Sequence, residues 1–172
     1  ADMMWEVFEN HARTDEAQRA VLSAAHECME IDRAYRGALA DAMLPYTEFL
    51  LTKSTLPARD RELLWLRTAW LARSDYVWAQ RVPAARRVGL NDAEIARVAL
   101  GPDAPGWKPF DAALIRAADE LRVDAFVSDA TWAVLAARYD ANQLTDLVYG
   151  VGEIEMHATF ASTLRIEIEP EL

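Results

Sequence analysis

The sequence predicts an all-α fold. Three observations support this prediction: the spacing of its apolar residues, its helix-capping residues, and the small number of helix-breaking Gly and Pro residues. Apolar residues recur every three or four positions along each long segment, and alternation over five or more residues is rare. The 172 residues include only 6 Gly and 7 Pro, and 52% are apolar. This composition suits one globular domain with a sizeable core and excludes a disordered or collagen-like chain.

Three helices are predicted in the first part of the chain. The first begins at Thr14, an N-cap candidate, and runs towards residue 34. The second covers residues 35–53, and Pro45 is expected to start, kink or divide a helix there because proline lacks an amide donor. The third opens at Leu56-Pro57 and is apolar almost all round, which is typical of a central helix.

Five helices of different lengths are predicted after Ser74. Most begin at a residue whose side chain can cap a helix, and a Gly- and Pro-containing loop over residues 101–109 separates the second from the third. The N-caps and helices are Ser74 with residues 75–88, Asn91 with residues 92–100 in a capping box with Glu94, residues 111–122, Ser128 with residues 129–139, and Asn142 with residues 143–164.

Charge, apolar run lengths and cysteine content limit the partners of this chain. The sequence has 18 Lys and Arg against 28 Asp and Glu, a formal net charge of -10, so it would repel a phosphate backbone and nucleic acid is not expected as a partner. No apolar run approaches the roughly 20 residues that span a bilayer, so no membrane partner is expected. A single cysteine, Cys28, indicates a reducing, cytoplasmic location.

No standard catalytic motif is present, so the candidates are polar residues on otherwise apolar helices. Glu62 lies one turn into the central helix, where burial would suit its carboxyl to proton transfer, although a first-turn acid also simply stabilises a helix N-terminus. Arg81 can bind a carboxylate or oxyanion through two parallel hydrogen bonds, or it forms a salt bridge to Asp75 or to an acid on an adjacent helix. Arg67 is interpreted as structural, holding a buried acid or a helix end.

Glu153 and His157 form the other candidate pair. They are four residues apart and share a helix face, so the carboxylate can fix the imidazole tautomer and raise its basicity. The alternative is a helix pair exposed at a subunit surface. Together with His26 and Glu30 they could bind a metal, but the paired ExxH motifs of di-iron bundles are absent, and we predict no metal and no other cofactor.

Three segments resemble the carboxymuconolactone decarboxylase and alkylhydroperoxidase D superfamily in order and spacing. They run from Leu56 to Arg67, from Ser74 to Arg81 and from Ala85 to Leu90. The resemblance extends over residues 31–165, with residues 1–30 as an added N-terminal helix and residues 166–172 as a tail, and the whole chain is interpreted as one domain. It implies a compact all-α domain that assembles as a homotrimer or homohexamer.

The chain departs from both known branches of this family. The redox branch carries CxxC followed by a histidine where this sequence has Ser74, Val77 and Arg81, and without a thiolate no CxxC-dependent peroxidase chemistry is expected. The decarboxylase branch carries Tyr-x-Trp-x-x-His, of which Tyr76 and Trp78 remain as expected walls of the substrate pocket.

The resemblance assigns Glu62 to the position of the family's functional glutamate. Arg81 replaces the histidine and cannot shuttle a proton at neutral pH, so we expect it to bind an anion, while His157 supplies the missing acid or base. The resulting hypothesis is a cofactor-independent lyase or isomerase acting on a small cyclic or aromatic-derived acid or enol. The alternatives are a non-catalytic ligand-binding or assembly member of the family and, third, a metal-dependent enzyme.

Overall fold

The computed structural model describes residues 37–168, and within this range the chain forms helices and no β-strand. The predicted all-α class is confirmed for these residues. The chain divides at Ser54 into two compact units. The predicted first helix, from Thr14, lies outside the described residues, and the predicted single-domain organisation stays a prediction.

Residues 37–53 of the first unit are continuously helical. An α-helix over residues 37–48, called α1, passes directly into a π-helical turn at Phe49–Lys53. Pro45 therefore does not start or divide a helix, because one proline removes a single backbone hydrogen bond and the winding continues past it. In the π-helical turn the Thr52 hydroxyl donates to the Glu48 carbonyl at 2.7 Å.

The second unit contains six helices within its described part. They are α2 (Ala58–Leu71), α3 (Asp75–Arg87), α4 (Asp92–Leu100), α5 (Pro109–Asp124), α6 (Asp129–Ala136) and α7 (Ala141–Leu164). No helix among residues 37–168 combines the length and apolar character that crossing a membrane requires.

Helix α2 is the centre of the second unit, as its apolar sequence predicts. Every residue from Asp60 to Ala69 is buried, and the helix packs against α3, α4, α5 and α7. Pro57 stands at the N-cap rather than in the first turn, because its ψ of 132° is extended. A helix surrounded on four sides places even its polar side chains inside the protein. Its charged residues are therefore buried as well.

The predicted N-caps are confirmed at Ser74, Asn91 and Ser128, each accepting a hydrogen bond from a backbone N–H three residues later. The prediction for the last helix is wrong by two residues. Asp140, not Asn142, is its N-cap, because Asp140 stands three residues before Gln143 and the two form a reciprocal capping box.

Helix α6 ends at Ala136, three residues earlier than predicted, and the residue beyond it has a separate structural role. The Tyr139 hydroxyl donates to Asp60 Oδ2 at 2.7 Å, and Arg138 Nη2 donates to the same oxygen at 3.2 Å. Burial and the bond to Asp60 raise the pKa of Tyr139 above its usual value. The segment after α6 therefore turns to anchor the start of α2.

Arg67 holds three helices together, which confirms its predicted structural role. Its Nη1 donates to the carbonyls of Val98 and Ala99 at the end of α4, both at 3.0 Å. Its Nε and Nη2 donate to the two carboxylate oxygens of Asp119 on α5, at 2.5 and 3.0 Å. One side chain thus satisfies a partly buried acid and a helix C-terminus together.

Two glycines on α7 are expected to respond in opposite directions to replacement by alanine. A Cβ at Gly150 would lie 2.7 Å from Nε1 of Trp65, a side chain only 2% exposed, whereas a Cβ at Gly152 would meet nothing within 4 Å. Gly150→Ala is expected to cost about 1–3 kcal/mol through overpacking. Gly152→Ala should stabilise by about 0.5–1 kcal/mol through helix propensity. Urea unfolding of both variants checks the contrast, and equal effects would contradict it.

Glu120 makes the stability of the α5–α6 connection dependent on pH. Its carboxylate accepts hydrogen bonds from the backbone and hydroxyl of Ser128 and from the hydroxyl of Thr131. Burial alone would raise the pKa of Glu120, but these bonds outweigh burial and hold it below the usual 4.5. The stabilisation is therefore complete above pH 4.5 and is lost as the pH falls through the lower, folded-state pKa.

We expect Glu120→Gln to destabilise the protein by about 1–2 kcal/mol at pH 7. The difference from the wild type should shrink as the pH falls well below 4.5. Glu155→Gln, which removes an exposed partner of Arg122, serves as the control and should show neither effect. Urea titrations at several pH values make the comparison, and a gap between wild type and Glu120→Gln that stays constant with pH would rule out this role.

Candidate active site

Helices α2, α3 and α7 pack against one another, and each carries ionisable side chains that are buried. Apart from Asp60, Arg67 and Asp146, whose carboxylates or guanidinium make hydrogen bonds, these are Arg61 and Glu62 on α2, Arg81 on α3, and Glu153 and His157 on α7. Buried charges are costly unless they are paired or used, so these residues define the candidate active site.

Glu62 is the most deeply buried of these groups, with 1% of its surface exposed. Its Oε1 lies 3.7 Å from Nη1 of Arg81 and 3.8 Å from Nη2 of Arg61. Its Oε2 is buried and has no hydrogen-bond partner within the described part of the chain. The carboxylate is thus held electrostatically on one side and retains an unused acceptor on the other.

Arg81 is also buried, with 7% of its surface exposed, and it faces Glu62 across the α2–α3 contact. Among residues 37–168 its only ionic partner is Glu62, and at 3.7 Å the pair attracts without a hydrogen bond. Its guanidinium carbon lies 5.3 Å from the centroid of the Trp65 ring. Of the two ion pairs predicted as alternatives for Arg81, the structure forms the one to an acid on an adjacent helix and not the one to Asp75.

Arg61 belongs to the same cluster, although it was not among the candidates predicted from the sequence. Its guanidinium approaches Glu62 as Arg81 does and lies 5.1 Å from the Trp65 centroid. Burial lowers the pKa of Arg61, Glu62 opposes that effect and Arg81 adds to it. The signal that could have found it is its position beside Glu62 on a helix with no exposed face.

Trp65 lies close to both arginines and is almost completely buried. Both guanidinium groups are within cation–π distance of its ring, which favours their placement side by side despite their like charge. Its indole N–H has no hydrogen-bond partner in the described region. Trp65 was not predicted as a site residue, and the structure gives it a place within the charged cluster.

Glu153 and His157 contact each other as their spacing predicts. His157 Nδ1 lies 3.0 Å from the backbone carbonyl of Glu153 and 3.4 Å from its carboxylate oxygen Oε1. The two side chains are 3% and 9% exposed, so they are not the surface pair that was the alternative. Two oxygen neighbours require a proton on Nδ1, which leaves Nε2 as the acceptor nitrogen of the neutral ring.

Tyr76 and Trp78, the predicted pocket walls, have different surroundings. Tyr76 is buried, and its hydroxyl accepts a hydrogen bond from Nε2 of Gln80 at 3.3 Å, a residue not identified from the sequence. Trp78 is partly buried and packs edge-to-face on Trp70 at 5.6 Å. With Trp70 and Ser74 it lines a surface groove of about 600 Å³.

The structure therefore joins Glu62 to Arg81 directly and Glu153 to His157 directly. Helix α7, which carries the second pair, packs on both helices that carry the first. Among residues 37–168 no three His, Cys, Asp or Glu side chains are grouped to hold a metal ion, and His26 and Glu30 lie outside this range.

Comparison with known proteins gives the class of this fold. A solved structure from Agrobacterium tumefaciens, a protein of unknown function described as a proposed antioxidant defence protein AhpD, superposes with a TM-score of 0.71. The match covers 80% of this chain and 94% of that one at 16% identity, which shows a shared fold. No curated protein sequence matches the chain.

Residues 37–120 match the model of the carboxymuconolactone decarboxylase family. This match supports the predicted resemblance to the carboxymuconolactone decarboxylase and alkylhydroperoxidase D-like superfamily, and the AhpD-like neighbour shares the fold. The matched region contains Glu62 and Arg81, so both stand within the part of the chain that the family defines.

Proposed function

We propose that this protein is a cofactor-independent lyase or isomerase that moves a proton on a small organic acid or enol, one that is cyclic or derived from an aromatic compound. The observation that supports this most is the Glu62–Arg81 pair, in which a buried carboxylate with an unused Oε2 lies 3.7 Å from a buried guanidinium that forms no hydrogen bond within the described residues. Unused hydrogen-bonding capacity inside a protein is costly and is typical of groups kept for a ligand.

In this proposal Arg81 binds the carboxylate of the substrate. Its guanidinium keeps its charge at any physiological pH and presents its donors in a planar fork that matches a carboxylate. Glu62 takes a proton from the substrate or returns one to it. Because the two groups are 3.7 Å apart, a substrate held through its carboxylate by Arg81 would have the neighbouring carbon near Glu62.

His157 is proposed as the complementary acid or base. With the proton on Nδ1, the basic nitrogen of the neutral ring is Nε2, which is proposed to accept a proton that the imidazolium then returns. Glu153 fixes the ring and stabilises its charged form. Tyr76 and Trp78 are proposed to shape the substrate pocket, Tyr76 from within the buried part of α3 and Trp78 from its partly exposed side.

Proton exchange at carbon tests the proposal across the whole class of candidate substrates at once. The protein is incubated in D₂O with a panel of small cyclic keto acids, unsaturated lactone acids and aromatic acids, and ¹H NMR follows exchange, double-bond migration and CO₂ loss. We expect at least one compound to react. His157→Asn, whose amide can replace Nδ1–H but not Nε2, should slow that reaction by about 10²-fold or more.

The second candidate is a non-catalytic member of the family that binds a ligand or acts as an assembly subunit. The observation that favours it is the presence of Arg81 at the histidine position, where it forms an ion pair with Glu62. Saturable binding of an acid from the panel without exchange or turnover would support this candidate against the first. Assembly as a homotrimer or homohexamer and a cytoplasmic location stay predictions.

A further inference from the structure

We propose that a surface groove between the end of α2 and the start of α3 binds a free aromatic amino acid. The groove has a volume of about 600 Å³, which is within the range typical of small-molecule sites. It is lined by two tryptophans, Trp70 and Trp78, and by two charged residues, Arg73 and Asp75. Of the residues proposed for proton transfer it contains only Trp78, so this inference does not depend on that reaction.

The two tryptophans give the groove an aromatic wall. Their ring centroids are 5.6 Å apart and their planes meet at 62°, so the rings do not stack flat on each other. Trp70 leaves 50% of its surface exposed. A third aromatic ring can pack on such a pair in an offset or edge-to-face geometry. A ligand with an aromatic ring would therefore remove this apolar surface from water.

Arg73 and Asp75 give the same groove one positive and one negative charge. Both side chains are exposed. Within residues 37–168 neither side chain forms an ion pair or a hydrogen bond. A ligand that carries a carboxylate and an ammonium group offers each of them a partner of opposite charge. An amino acid with an aromatic side chain has both charged groups and the ring that the tryptophans favour.

The backbone of Arg73 supports a role for its side chain. Its φ is 55°, in the left-handed region that residues with a Cβ rarely adopt. Its N–H donates to the Trp70 carbonyl at 3.0 Å, and the next N–H donates to the Ala69 carbonyl at 3.1 Å, which forms a Schellman motif. Gly89 has the equivalent position after α3, with a φ of 93°. Arginine therefore stands after α2 where glycine would be less strained, and its side chain lines the groove.

Ligands that each lack one feature test what the groove recognises. Phenylalanine, tyrosine and tryptophan are titrated into the full chain, and ligand-observed NMR measures their binding. The comparison ligands are alanine, which lacks the ring, 3-phenylpropionate, which lacks the ammonium group, and phenethylamine, which lacks the carboxylate. We expect phenylalanine to bind about threefold to tenfold more tightly than each of these three, the range for one contact at a partly exposed site.

Variants of the two charged residues should change different ligands. Arg73→Gln is expected to weaken phenylalanine and 3-phenylpropionate by about threefold and to leave phenethylamine unchanged. Asp75→Asn is expected to weaken phenylalanine and phenethylamine and to leave 3-phenylpropionate no weaker. Trp70→Leu should weaken every ligand that has a ring. The matched control is Arg87→Gln, at an exposed arginine in the last turn of α3, which should change none of them.

Arg73→Gly separates binding from a structural role of this arginine. Glycine adopts the left-handed conformation without strain, so the variant should unfold at a higher urea concentration than the wild type. It should also lose the same affinity for phenylalanine as Arg73→Gln. An arginine kept for stability would give the opposite result, a lower urea midpoint and unchanged binding.

The inference is wrong if none of the three aromatic amino acids binds, or if alanine binds as tightly as phenylalanine. It is also wrong if Arg73→Gln and Arg87→Gln bind phenylalanine equally well. Sedimentation of Trp70→Leu examines a second copy of the chain as the occupant. A smaller assembly in this variant, with no amino acid bound by the wild type, would assign the groove to a subunit contact and overturn the inference.

Discussion

Replacing Glu62 by glutamine is expected to slow the proton-transfer reaction by about 10²–10⁴-fold, the range typical of a lost general acid or base. The amide has nearly the same shape as the carboxylate but cannot take a proton from carbon. Because Glu62 is the ionic partner of the buried Arg81, the variant is also expected to be less stable, so urea unfolding is measured beside the rate to show that the protein assayed is folded. The measurement is the rate of deuterium exchange or turnover for the acid found by NMR.

Glu155→Gln is the control for this variant. Glu155 is on α7, two residues from Glu153, and its carboxylate faces Arg122 at 3.4 Å near the surface. Its replacement should leave the rate unchanged. A Glu62→Gln protein that keeps more than about half of the wild-type rate would exclude Glu62 as the proton-transfer group, since such a group accounts for far more than twofold.

Replacing Arg67 by alanine is expected to destabilise the second unit by about 2–3 kcal/mol, because a partly buried carboxylate and two backbone carbonyls lose their donor. Asp119 would lose both of its hydrogen bonds to the guanidinium, and the carbonyls of Val98 and Ala99 would lose their side-chain donor. Urea unfolding measures the effect as a fall in the transition midpoint.

Arg116→Ala provides the exposed counterpart. Arg116 Nη2 contacts Asp103 at 2.7 Å, a shorter distance than three of the four Arg67 bonds, but the two side chains are 41% and 84% exposed. Water replaces such a bond readily, so the expected loss is less than about 1 kcal/mol. Equal losses in the two variants would show that burial does not determine the strength of the Arg67 network.

The all-α class and the central helix could be predicted because their signals are local. Capping by Ser74, Asn91 and Ser128 depends on residues within three positions of each cap. Helix α2 carries apolar residues on every face, which indicates burial on all sides. The early end of α6 could not be predicted, since Tyr139 leaves the helix for a contact with Asp60, 79 residues away.

The candidate site likewise contains a local contact that could be predicted and contacts between helices that could not. The Glu153–His157 contact follows from a spacing of four on one helix and was predictable. The Glu62–Arg81 ion pair joins two helices, so the sequence could name as the ionic partner of Arg81 only Asp75 or an unspecified acid on an adjacent helix. The position of Arg61 beside Glu62 was a signal in the sequence, but three arginines stand within nine residues of α2, and only the packing shows which of them lies near Arg81.

The central position of α2 has a consequence for the motions that ligand entry requires. A helix enclosed by four others opens only when most of the unit opens, so we expect the backbone that carries Arg61 and Glu62 to move little. A rigid support keeps reacting groups aligned before the ligand arrives. Any opening that lets a ligand reach Glu62 must then come from movement of the helices around α2. The rate of ligand entry and the alignment of the reacting groups are therefore set by different parts of the chain.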